Sequence, residues 1–217
     1  MKQRSLLIVA AVALLVVFAG AAVWYNASRS AGTGAAPGAN MEALDRPHAP
    51  SLGPADAPVV IVEFLDPACE TCADFYPLVK NIMAANPDRI RLVLRWAPFH
   101  AGAQDVVAML EAARRQDMFW PALERLLATQ GVWTINHTVD FPLALMQLRD
   151  VGLDMDRLMA DMTDPEIGEL IRQDVADANT LNVRATPEYF VNGKPMPSFG
   201  YEQLLGLVTE ALANAAR

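Results

Sequence analysis

The stretch DPACETCADFYP, Asp66 to Pro77, holds both cysteines of a 217-residue chain. They stand three positions apart, just ahead of a segment with helical spacing. A disulfide between Cys69 and Cys72 would close almost no chain, so it would restrain the unfolded state little and stabilise the fold little. The pair is therefore read as chemistry and not as a staple. At a helix start, unpaired backbone N–H groups and the positive end of the dipole stabilise a thiolate at Cys69, the nearer residue. Cys72, one turn further in and more buried, can attack a mixed disulfide formed at Cys69 and release the partner.

Working outward, Val59 to Leu65 (VVIVEFL) is a β-branched and aromatic run of strand length, ended by Asp66-Pro67. The helix that follows is expected from about Cys69 to Ala85, bent where Pro77 removes a backbone hydrogen bond. Ile90 to Trp96 (IRLVLRW) reads as a second strand, and strand, helix, strand of this length implies a right-handed parallel crossover. From residue 101 to about 182 the pattern is helical, with breaks expected at Gly131, Gly152 and Asp164-Pro165, and its methionines read as core filling. TPEYFVNGKPMPSF then gives two short strands about an Asn192-Gly193 turn, before a final amphipathic helix from Tyr201 to about Ala215.

The compartment decides what two thiols mean. Lys2 and Arg4 precede an uncharged run from Leu6 to Tyr25, 20 residues, long enough to cross a bilayer as a helix. Residues 1–25 are either a transmembrane anchor or a signal peptide, since Ala19-Gly20-Ala21 fits a small-x-small cleavage site. The apolar stretch continues past that site, and Trp24 and Tyr25 sit where an interfacial belt would be. A tether-like segment follows, and these features favour the anchor. Either reading puts the remainder on the periplasmic or extracytoplasmic side. Residues 26–52, rich in Ala, Gly, Ser and Pro, read as a flexible linker, and 53–217 as one domain. A formal charge of −8 argues against nucleic acid or an anionic lipid surface as partner of the folded part.

VIVEFLDPACETC, Pro77 five residues beyond the second cysteine, RWAPFH, the FW and LL pairs between Phe119 and Leu127, and VRATPEYFVNGK together resemble the exported DsbA-like thiol:disulfide oxidoreductases of the thioredoxin superfamily. The resemblance implies an α/β, thioredoxin-like fold with a central mixed sheet and an inserted helical subdomain at about 101–182. It makes Cys69 the nucleophile, Cys72 the resolving thiol and Pro187 a cis-proline beside them. Thr186 would offer its backbone to an extended substrate. Glu63, six residues before Cys69, matches the buried acid behind the disulfide, where a carboxylate can move the proton of Cys72. The flanking VVIV and FL agree with burial on both faces. The implied partners are exported cysteine-containing proteins and a redox partner that recharges the pair; no cofactor and no metal is required.

Three residues depart from the family pattern. Glu70 and Thr71 stand between the cysteines where proline and an aromatic or histidine are common, and Glu188 follows the cis-proline where a small or hydroxyl residue is usual. With Asp66 and Asp74 these acids are expected to destabilise a thiolate, giving a reductase- or isomerase-leaning potential, with a DsbA-type oxidase as the alternative. A zinc site is disfavoured because four ligands are needed and His48, His100 and His137 are dispersed; His100 and His137 read as surface or satisfied residues. A copper(I)-handling thiol module is the alternative of another class. Its weakness is that the methionines follow helical spacing and do not crowd the cysteines.

Overall fold

The structure, a computed structural model, describes Gly20 and residues 41–216. The expected anchor or signal at 1–25 lies, Gly20 apart, outside the described residues, as do residues 26–40 of the expected linker. Among the described residues no helix is long and apolar enough to cross a membrane.

From residue 41 the expected linker is part of the fold. Met41–Leu44 forms a short helix (α1), and Ser51–Leu52 a strand (β1) whose residues pair with Val93 and Leu92. The cause is burial and charge, which composition averages away. Leu44 is 1 % exposed, the Arg46 guanidinium donates to both oxygens of Asp177 at 2.9 Å, and His48 Nε2 lies 2.7 Å from Asp174.

Val59–Leu65 (β2) leads through Glu70–Ala84 (α2), which contains Pro77, to Ile90–Trp96 (β3). β2 and β3 run parallel in continuous register from Val59 opposite Ile90 to Leu65 opposite Trp96. Both strands are nearly buried on both faces, which explains their unbroken apolar character. Late in the chain Glu188–Val191 (β6) pairs antiparallel with β2, and Lys194–Pro195 (β7) with β6. The sheet is therefore mixed, in the order β1-β3-β2-β6-β7.

Strand alternation sends Val59, Ile61, Glu63 and Leu65 to one face and Val62 and Phe64 to the other. The first face packs under α2 and the final helix, Tyr201–Asn214, with Ile61, Leu92, Leu94, Leu204 and Val208 in one cluster. The second face carries Val62, Phe64, Val93 and Phe190 against Leu44 and Ala178. Each fully buried large apolar side chain contributes about 1.5–3 kcal/mol.

Between β3 and β6 lie Ala103–Arg114 (α3), Phe119–Ala128 (α4), Gln130–Trp133 (α5), Phe141–Gln147 (α6), Met155–Asp161 (α7) and Pro165–Thr180 (α8). Asp140, Asp154 and Asp164 cap the last three by accepting from backbone N–H groups of their first turns. The final helix is then α9. Three details correct the sequence reading. Gly131 does not break a helix but lies within α5, because the interruption falls at Thr129. After α5 a small hairpin appears, Thr134–Ile135 (β4) and Thr138–Val139 (β5), turned by Asn136 and His137 at φ 50° and 59°. The inserted subdomain is also shorter than 101–182. α8 sets Ile167 and Ile171 against the insertion, yet Ala178 and Asp174 near its C-terminal half cover the second face of the sheet.

Candidate active site

β2 ends at Leu65 because Asp66-Pro67 turns the chain, and the Asp66 carboxylate accepts from Ala68 N at 2.8 Å. That turn delivers Cys69 to the N-cap of α2 in an extended conformation (φ −85°, ψ 118°) and Cys72 to its first turn. Both are free thiols; Cys69 is 6 % exposed and Cys72 fully buried.

The two sulfurs are driven in opposite directions. Cys69 is pulled down to about 5, first by the Cys72 thiol, against the cost of burial, and then by the Thr186 hydroxyl and the N–H groups of Cys72 and Thr71 at the helix start. Its Sγ also lies 3.2 Å from the Thr186 carbonyl, to which the protonated thiol donates. Burial pushes Cys72 well above its usual value, and its neighbours Cys69 and Glu63 add to this. Cys69 is thus the more acidic sulfur of the pair and Cys72 the less acidic one.

Glu63 is fully buried, as its apolar flanks imply, and burial pushes it up to about 8. The charge of Cys69 adds to that rise, while the Tyr189 hydroxyl opposes it. The Thr186–Pro187 peptide is cis, and β6 begins at the next residue. Cys69, Cys72, Glu63, Thr186 and Pro187 are therefore brought together around the start of α2, from β2, α2 and the loop before β6.

The acids do not surround the thiolate as expected. Glu70 turns away to His137, 3.0 Å between Oε2 and Nδ1, and its side chain is 55 % exposed. The buried Asp66 carboxylate is spent on the β3–α3 loop, accepting from Phe99 N at 2.7 Å and His100 N at 2.8 Å, with His100 Nδ1 2.7 Å away. Burial raises Glu188, which favours its neutral form. The expectation that acids would hold Cys69 high is corrected: hydrogen-bond donors pull the sulfur down, and Glu70 and Asp66 face other partners.

Several residues of the site had no signal in the sequence. Gln130, buried on α5, donates from Nε2 to the carbonyls of Pro67 and Cys69 at 2.8 and 2.9 Å, tying the helical subdomain to the cysteine loop. His100 and His137 stack with ring centroids 5.4 Å apart, joining the loop after β3 to the β4–β5 turn. Both are satisfied residues, as read, but they border the cysteines. Tyr189 stands directly across the sheet from Glu63. The half-exposed rings of Phe99 and Phe199 lie at the rim, the latter 4.8 Å from Phe75 of α2.

A sequence model of the family described as thioredoxin matches residues 45–210. Among curated relatives, the Na(+)/H(+) antiporter NhaA of Herminiimonas arsenicoxydans is 30% identical over 165 residues, 76% of this chain and 26% of that protein. The chain spans about a quarter of the length of the curated relatives it matches. A thioredoxin-like oxidoreductase from Silicibacter pomeroyi shares 30% identity with a TM-score of 0.70, over 81% of this chain and 99% of that one. BdbD from Bacillus subtilis, at 23% identity and a TM-score of 0.66, covers 76% of this chain with 93% of its own. With that family match along most of its length, and with helices inserted between β3 and the cis-proline strand, the chain belongs to the thioredoxin family.

Proposed function

We propose that this protein exchanges disulfides with exported cysteine-containing proteins through Cys69 and Cys72. The observation that carries the reading is the opposed state of the two sulfurs, a thiolate-favouring Cys69 at a helix start and a buried thiol at Cys72 with Glu63 behind it. The match to the thioredoxin family and the likeness to an oxidoreductase of the same fold support it.

In the oxidising direction a substrate thiolate attacks Cys69 Sγ. The Cys69–Cys72 bond breaks, and Cys72 leaves with the electron pair and takes a proton from Glu63. A second substrate thiolate then attacks the substrate sulfur and releases Cys69 as thiolate. The substrate loses two electrons, the pair gains them, and a redox partner must reoxidise it. Thr186, beside Cys69, offers its backbone to the substrate segment. Run backwards, the same steps reduce or rearrange disulfides.

A stabilised thiolate lowers the free energy of the reduced pair and so makes the disulfide more oxidising. The lowered Cys69 therefore favours the disulfide-donating reading over the reductase- or isomerase-leaning one. Equilibration of the purified protein with glutathione tests this. A potential less negative than about −200 mV is expected; a value near thioredoxin's, about −270 mV, would return the protein to the reductase reading. The exported setting rests on the basic, apolar N-terminal segment, and retention of the protein in carbonate-washed membranes tests the anchor.

A further inference from the structure

Glu63 and Tyr189 are direct partners in the antiparallel β2–β6 pairing, so their side chains leave the sheet on the same face. Both are fully buried. Among the described residues neither oxygen of Glu63 nor the hydroxyl of Tyr189 has a hydrogen-bond partner of ordinary geometry. Two such groups facing each other in an apolar layer demand an explanation, since buried polar atoms are ordinarily paired. They are still close enough to act on one another, because the hydroxyl opposes the rise of Glu63 and the carboxylate pushes the phenol up. The Phe75 ring stacks on that of Tyr189 at 6.1 Å and 28°, holding its plane.

We propose that Tyr189 is a positioning residue for Glu63: its hydroxyl donates a hydrogen bond to the ionised carboxylate and so lets Glu63 accept the Cys72 proton near neutral pH. This rests on the reading that Glu63 is the proton acceptor of the resolving step. In that step the Cys72 S–H bond breaks and its proton goes to a Glu63 oxygen. The Cys72 electron pair attacks Cys69 Sγ, and the partner sulfur leaves as thiolate. Tyr189 keeps its own proton throughout, because its pKa stands well above the ordinary phenol value.

Among the described residues the surroundings leave no other neutral side-chain oxygen or nitrogen donor for the task. From α2, Cys69, Cys72 and Tyr76 face Glu63, and the Tyr76 hydroxyl is already given to Glu124 Oε1 at 3.2 Å. β3 contributes Leu94 opposite Glu63, and α9 contributes Leu204, Leu207 and Val208, while its acids Glu202 and Glu210 are exposed. A loose approach in the protonated state closes when charge develops on the carboxylate, as catalytic hydrogen bonds often do.

The test is stopped-flow reaction of the reduced full-length protein with an aromatic disulfide reagent. The first coloured thiol reports attack by Cys69 and the second reports resolution by Cys72. Tyr189→Phe, which keeps the ring and its stack, should slow resolution about 3- to 10-fold at pH 7 and move its pH profile upward by about half a unit to one unit, with the first phase unchanged. In a Glu63→Gln background the same change should add less than about twofold. A Tyr189→Phe profile superimposed on wild type, with Glu63→Gln still slow, overturns the role of Tyr189 and leaves Glu63 in place. An unaffected Glu63→Gln sinks the acceptor reading itself. Carbon-13 NMR titration of the Glu63 carboxyl gives a second measure that a packing defect would not mimic: Tyr189→Phe should raise its pKa, and an unchanged value contradicts the proposal.

Discussion

Cys69 and Cys72 are separated by less than one helical turn, yet one sits among hydrogen-bond donors and the other among apolar side chains. Cys72→Ser should accordingly accumulate mixed disulfides with substrate proteins, detected on non-reducing gels, whereas Cys69→Ser should accumulate few. Equal trapping by both would contradict the division of roles. Glu63 carries a cost of its own. Its folded pKa of about 8 stands above the ordinary 4.5, so its contribution is neutral below pH 4.5 and turns increasingly destabilising as pH rises towards 8. Glu63→Gln should therefore raise the thermal midpoint more at pH 9 than at pH 5, and an equal gain at both would contradict burial of the charge. Glu70 is a third case. Because its half-exposed carboxylate faces His137 and water screens it, Glu70→Gln should change the potential of the pair by less than about 10 mV, against the few tens of millivolts its place between the cysteines suggests.

The elements legible in the chain are those whose signal is local. β2, β3, α2 and the helices after β3 follow from runs and periodicity, and the Asn192-Gly193 hairpin follows from turn chemistry. The β4–β5 hairpin did not, because its strands are two residues long and its turn, Asn136-His137, lacks glycine. Its place is set by tertiary contact instead. Val139 N donates to Ala101 O at 3.0 Å, and a Cβ added at Gly102 would stand 2.9 Å from Val139 Cβ. Gly102 also has φ +80°, so Gly102→Ala meets both backbone strain and a clash. It should cost about 1–3 kcal/mol in denaturant unfolding and loosen the hairpin that carries His137. A change under about 0.5 kcal/mol would show that the close approach is not needed.

Over the whole molecule, the second face of the sheet is closed by the segment preceding β1. Arg95, fully buried, donates from Nε and Nη2 to Asp174 and from Nη2 to Asp177, while Arg46 and His48 reach the same two acids from the N-terminal side. A chain beginning at Gly53 would lose Leu44 from the core and leave Asp174 and Asp177 with fewer partners. It should lose about 3–5 kcal/mol of stability against a chain beginning at Asn40, read as a lower denaturant midpoint. Equal midpoints would mean that residues 41–52 behave as the linker their composition suggests.

Cys-x-x-Cys at a helix start, the Thr-Pro strand and Glu63 in an apolar run were readable from order alone, because each depends on neighbours close in the chain or on a pattern of residue types. What lay beyond reach was every property that depends on which distant groups meet. Folding turned Glu70 to His137 and Asp66 to the loop at His100, gave Cys69 its donors, and set Tyr189 across from Glu63. A charge counted along a sequence has no direction, whereas in the fold its effect depends on distance, burial and the partner it has already taken.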